Sequence, residues 1–142
     1  MNELKRMNYL MSETNEAYHG AAVKLGLSDS AMTILYAICN SGSSCLLSEI
    51  TRMSGTSKQT INSALRKLER EGIIYLEAAG NRKKLVCLTK EGKALAECTA
   101  MRVMAVENAI LDSWTREERR VYLDLQQRYL DQFKEKTKEL AR

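Results

Sequence analysis

A mostly α-helical fold carrying one small β-hairpin is what this sequence predicts, and three observations predict it. The 142 residues contain no Pro, so nothing locks φ or removes a backbone donor inside a helix. Apolar residues recur at three- and four-residue spacing through both ends of the chain, which is the period of an amphipathic helix. Between those ends, residues 46–92 read as a short helix, a tight Ser54-Gly55 corner and a longer amphipathic helix. Two short β-rich runs follow, joined by a loop that ends in Arg82-Lys83-Lys84. That order writes a winged helix-turn-helix, with further helices before and after it.

Each element has its own signal. Leu4, Met7, Met11, Thr14, Tyr18, Ala21 and Leu25 line one stripe of a first helix over residues 3–25, and Gly26 stops it. Ser28 caps a second helix over 29–40, with Asp29 in its first turn and Met32, Leu35, Tyr36 and Cys39 inward. Residues 40–44 form a loop and 45–47 a short strand. Ser48 is expected to cap a third, short helix bearing Ile50 and Met53. Thr56 or Ser57 opens the fourth, and Thr56 with Gln59 has the capping-box spacing. Ile61, Leu65 and Leu68 are its core stripe, and Gly72 ends it. Strands are expected over 73–77 and 85–89, with Gly80-Asn81 suited to the tight turn of the wing between them.

From Lys90 to Leu111 the pattern is again helical and apolar on nearly every face. Such a helix is buried on all sides. One small domain has too little material for that, so a second copy of the chain is expected. Thr115 and Glu118 form a second capping box and open a last helix, along which Val121, Tyr122, Leu125, Tyr129 and Phe133 share a side.

No run of ~18 apolar residues occurs, and the N-terminus lacks the apolar core of a secretory signal. A cytoplasmic protein without a membrane partner is expected. Cys39, Cys45, Cys87 and Cys98 have no metal-like spacing and read as small hydrophobes, with Cys45 the one nearest the surface. The single His19 has no evident ligand companions, so neither a metal site nor a cofactor is expected. No phosphate-cradling loop is present and no Ser/His/Asp set can be assembled, so the reading is not an enzyme.

Charge is unevenly distributed. Residues 45–93 hold ten Lys/Arg against five Asp/Glu, and the rest of the chain twelve against thirteen. The positive excess therefore lies within the helix-turn-helix and wing, as a polyanion partner requires. The fourth helix begins with polar residues, Ser57, Lys58, Gln59 and Thr60, and presents Asn62, Ser63, Arg66 and Arg70 beyond them. Amides such as Gln59 and Asn62 can pair bidentately with adenine, and Arg66 can reach guanine or phosphate. Arg82, Lys83 and Lys84 make a cationic wing suited to a narrow minor groove or the flanking phosphates. The expected partner is double-stranded DNA.

At this point the chain resembles the MarR family of bacterial transcriptional regulators. The stretches that carry the resemblance are SEITRMSGTSKQTINSALRKLEREGII, RKKLVCLTKEG and WTREERRVYLDL. Gly80 stands where the family pattern often has an acid, and Ser63 where many members have Arg. The resemblance implies a homodimer on a near-palindromic site, regulated by a small molecule, an oxidant or a metal. The chain is thus read as one protomer, 1–142. Its reading head is 29–89, and its dimerisation helices are 3–25 and 90–140. Tyr9, Tyr18, Tyr36, Trp114 and Tyr122 are the aromatics available to line an effector pocket. Two other readings use the same scaffold: a protein–protein module, and a thiol-based sensor acting through Cys45.

Overall fold

The computed structural model describes residues 2–142. The elements are α1 (Glu3–Lys24), α2 (Asp29–Asn40), β1 (Ser44–Leu46), α3 (Leu47–Ser54), α4 (Lys58–Arg70), β2 (Ile74–Ala78), β3 (Lys84–Leu88), α5 (Lys90–Cys98), α6 (Ala100–Ser113) and α7 (Arg116–Thr137). The chain divides into two compact units, with the boundary inside α6 after Met104. No single helix is long and apolar enough to cross a membrane.

The first unit is organised around α2, which touches α1, α3, α4, α5, β1 and β3. Packed on several sides, it buries Ile34, Leu35, Ala37 and Ile38, while Met32, Tyr36 and Cys39 lie half-buried at the edge of the core. The inward face is therefore broader than the expected stripe and centred elsewhere. The sheet is antiparallel in the order β1-β3-β2, so the last strand in sequence is the central one. Cys45 of β1 and Leu76 of β2 both pair with Val86 of β3. Cys45 is consequently buried, 3% exposed, and accepts a hydrogen bond from the Ser41 hydroxyl at 3.4 Å. The expectation that it lies near the surface fails because its neighbour in space is the central strand. Cys98 is the exposed thiol. Cys87 is buried beside Tyr75 and Glu77, and burial, then the Glu77 carboxylate, push its thiol above the ordinary range.

Two other expectations are corrected. Ser48 is not a cap: α3 runs directly out of β1, with Leu46 at the cap position and no side-chain bond to the helix end. On α3, Ile50 is fully buried and Met53 is 41% exposed. The apolar stretch 90–111 is not one helix. It breaks at Thr99 into α5 and α6.

α1 has one buried residue, Ala22, and exposes Leu4, Tyr9, Leu10, Met11 and Tyr18. A polar contact holds its end to α2: the His19 Nδ1 lies 2.8 and 2.9 Å from the two carboxylate oxygens of Asp29. His19 thus has a companion that the sequence did not reveal. The hydrogen bond to Asp29, then its charge, raise the His19 pKa above the usual value, with a small further push from Glu16. A raised histidine pKa contributes stability that is complete below the unfolded value, about 6.5, and is lost as pH rises through the folded value. With one His in the chain, its NMR titration is unambiguous. Asp29→Asn is expected to lower the midpoint toward 6.5, and an unchanged midpoint would contradict the contact.

In the second unit, Thr115 and Glu118 form the expected reciprocal capping box. Arg119 donates Nη1 to the Leu111 and Trp114 carbonyls, at 3.0 and 2.6 Å, which satisfies orphan acceptors at the end of α6. Trp114 meets Tyr122 edge-to-face with centroids 5.3 Å apart. α7 buries no residue: Val121, Tyr122, Leu125, Tyr129 and Phe133 all face solvent.

Candidate nucleic-acid interface

The corner between α3 and α4 is built from short-range bonds. Gly55, with φ 62°, takes the left-handed conformation that ends α3 and that residues with a Cβ adopt at a cost. The Ser54 hydroxyl donates to the Thr51 carbonyl and accepts the Thr56 amide, at 2.9 and 3.1 Å. Ser57 is the cap of α4: its oxygen accepts the Thr60 amide at 3.2 Å and lies 2.8 Å from the Thr60 hydroxyl. The Thr56–Gln59 capping box does not form, because the chain enters the helix one residue later. Gln59 is therefore exposed and, among the described residues, its amide has no intramolecular partner.

At 100° per residue, Ile61, Leu65 and Leu68 occupy one side of α4, and all three are buried. Gln59, Ser63, Arg66 and Arg70 are directly opposite, and all four are exposed. Thr60 and Lys67 flank them on one side, Lys58 and Asn62 on the other. Asn62 is half-buried because it sits on the shoulder next to Leu65. The structure thus gathers the expected helix residues on one surface, with Arg70, expected on that face, at its centre. No aromatic residue lies on this face.

The wing is a hairpin whose ladder closes at Ala78 and Lys84. Beyond it, the Ala79 amide donates to the Lys83 carbonyl and the Lys83 amide to the Gly80 carbonyl, at 3.0 and 2.8 Å. The central residues of this turn are Asn81 and Arg82, with φ 45° and 63°, and Gly80 before them has φ 73°. The turn sits one residue later than Gly80-Asn81. Asn tolerates the left-handed region, but Arg does so at roughly 1–2 kcal/mol. Arg82, Lys83 and Lys84 are all exposed. With Leu76, Glu77, Ala78, Gly80 and Asn81 they rim an open recess of about 370 Å³ at the wing.

That geometry separates two properties of one residue. Arg82→Gly removes the left-handed penalty, so it is expected to stabilise the fold by about 1 kcal/mol. It also removes the guanidinium, so binding to a polyanion is expected to weaken. Thermal unfolding alongside binding checks both. A variant that loses stability would show that the turn is not strained as described.

Of the five aromatics expected to line a pocket, three belong to the first unit and two to the second. Tyr9 and Tyr18 lie on the exposed side of α1, and Tyr36 is half-buried on α2 against the core. Trp114 and Tyr122 form their own pair in the second unit.

Known proteins match both the sequence and the fold. The sequence model of the MarR family matches residues 25–84, from the end of α1 through the wing. No curated protein sequence matches significantly. Among solved structures, the MarR family regulator NMB1585 from Neisseria meningitidis superposes with a TM-score of 0.79 at 22% identity, over 96% of each chain. The S. aureus MepR–DNA complex gives 0.66 at 17% identity, over 94% of this chain and 98% of that one. Bordetella bronchiseptica BpsR, described for the regulation of its DNA binding by 6-hydroxynicotinic acid, gives 0.62 at 17% identity, over 92% and 98%. At these identities the structures speak to the fold alone. Residues 25–84, the helix-turn-helix and wing, thus match the sequence model of the MarR family, and the chain shares its fold with solved MarR family regulators along nearly its whole length.

Proposed function

We propose that the protein is a homodimeric transcription regulator that binds double-stranded DNA, acting as a repressor on a near-palindromic operator and released by a small molecule. The observation that carries this reading is the outer surface of α4. Gln59, Ser63, Arg66 and Arg70 are exposed there without intramolecular partners among the described residues, while the side carrying Ile61, Leu65 and Leu68 is committed to the core. Side chains of these types can contact base edges in the major groove, and the helix is thin enough to enter it. The capped N-terminus of α4 would lie against a phosphate. The wing then falls on the flanking backbone, with Arg82 suited to a narrow minor groove.

Support for a dimer comes from α1, α6 and α7. Val106, Ile110, Leu125, Tyr129 and Phe133 are each about half exposed in the protomer, which is more apolar surface than a monomer leaves in water. MepR and BpsR supply the analogy for DNA and for an aromatic effector. Trp114, Tyr122, Tyr9, Tyr18 and Tyr36 remain the residues proposed to meet such a molecule. The thiol-sensor reading loses its residue, since Cys45 is buried.

Binding isotherms on the protein's own upstream DNA and on random DNA, across a salt series, test the reading. Replacing Lys83 and Lys84 together by Ala is expected to weaken both complexes and to reduce the salt slope by up to about four units, if all four charges of a dimer meet phosphates. Helical content should not change. A wild-type slope in that variant would remove the wing from the mechanism. Absence of any sequence preference in the parent protein would overturn the proposal itself.

A further inference from the structure

The apolar stretch 90–113 is interrupted at one residue, and the interruption has a specific cause. Sharp breaks in a helix arise at Pro, at Gly/Ser pairs, at π-bulges or where a side chain inserts into the i→i−4 ladder. The chain has no Pro, and the one Gly nearby, Gly92, lies seven residues before the break. At Thr99 the inserted group is visible. Its hydroxyl donates to the Leu95 carbonyl at 2.7 Å, the acceptor its own amide would take in a continuous helix. The displaced amide bonds the Ala96 carbonyl instead, at 3.2 Å. The Thr99 carbonyl then accepts from Arg102 and Val103 and so starts α6.

The bond to the i−4 carbonyl is not sufficient alone. Thr14, Thr33 and Thr51 make it within unbroken helices. Thr99 differs in its surroundings: it is 3% exposed, between Ala96 and Ala100, both of which belong to the core. Water cannot compete for its hydroxyl there, so the bond to Leu95 persists and the amide stays displaced.

We propose that Thr99 is a positioning residue, whose hydroxyl maintains the break and so sets the direction in which α6 leaves the winged helix. In a dimer joined through α6, that direction sets the half-site spacing the protein accepts. This step rests on the DNA-binding dimer proposed above. Its leverage is large. α6 has 14 residues, about 21 Å at 1.5 Å each. A 20° change at Thr99 moves its far end by about 7 Å, roughly two base-pair steps.

The test compares Thr99→Val, which keeps shape and burial but removes the hydroxyl, with Thr99→Ser, which keeps the hydroxyl. Each is measured on a set of operators whose half-site spacing varies by one base pair at a time. Thr99→Val is expected to lose about tenfold affinity for the native spacing and to move the optimum by at least one base pair, with new amide-exchange protection at Ala100 and Met101. Thr99→Ser should retain the native optimum. Unfolding curves come first, and Thr99→Ala replaces Thr99→Val if the latter has no cooperative transition. An unchanged optimum in the hydroxyl-free variant, or an equal shift in Thr99→Ser, overturns the assignment. A wild-type protein indifferent to spacing and sequence alike overturns the DNA-binding reading instead.

Discussion

Gly92→Ala is expected to destabilise the protein by about 3 kcal/mol or more, lowering the melting temperature by roughly 10 °C. A Cβ on Gly92 would stand 2.0 Å from the Ile73 carbonyl oxygen and 3.0 Å from its carbon, and both are backbone. That carbonyl cannot retreat. It accepts the Thr89 amide at 3.0 Å and lies 3.1 Å from the Thr89 hydroxyl, which also bonds the Gly72 carbonyl. Thr89 in turn caps α5 by accepting the Gly92 amide at 2.9 Å. One contact thus locks the exit of α4, the end of β3 and the start of α5. In an open helix the same change would gain up to about 1 kcal/mol of propensity, so the sign of the effect is diagnostic. Calorimetry decides it, and a stabilised variant would mean that α5 does not approach β2 this closely.

Val106→Glu is expected to dissociate the proposed dimer. Val106 is 60% exposed in the protomer, so the substitution removes no packing within it. Burying two copies of Val in a twofold interface contributes about 2 kcal/mol each, so losing both raises the dissociation constant on the order of 10³-fold, before the cost of two buried carboxylates. Sedimentation equilibrium should show the 16.1 kDa monomer mass where the parent shows twice that. A variant that remains dimeric would place the interface away from α6. The melting temperature of the parent dimer should rise with protein concentration, and that of the monomeric variant should not depend on it.

Much of the fold was legible because its signals are local. The caps at Ser28 and Thr115, the stripe Ile61, Leu65, Leu68 and the punctuation by Gly55 need only neighbours within a turn or two, and a matching pattern at each level makes the reading consistent. The misreadings share a different origin. Cys45 is buried by Val86, some forty residues away in sequence. α2 buries a wider face because six elements pack on it. The break at Thr99 was hidden for a subtler reason, since its hydroxyl makes the same bond as Thr14 in an unbroken helix. At the candidate interface, composition and helical spacing identified the face, Arg70 included, while the folded α4 put Asn62 on its half-buried shoulder.

The strand order has a kinetic consequence. β1 precedes the helix-turn-helix and pairs with β3, which follows the wing. Closing that loop of roughly forty residues costs about 3 kcal/mol of chain entropy, and it can happen only after β3 has been synthesised. Until then the core lacks Val86 and Leu88 from the central strand, and the sheet that carries the wing cannot form. The reading surface should therefore assemble late and all at once, so that a nascent or truncated chain ending before Leu88 offers the right residues to DNA without the rigidity to discriminate among sequences.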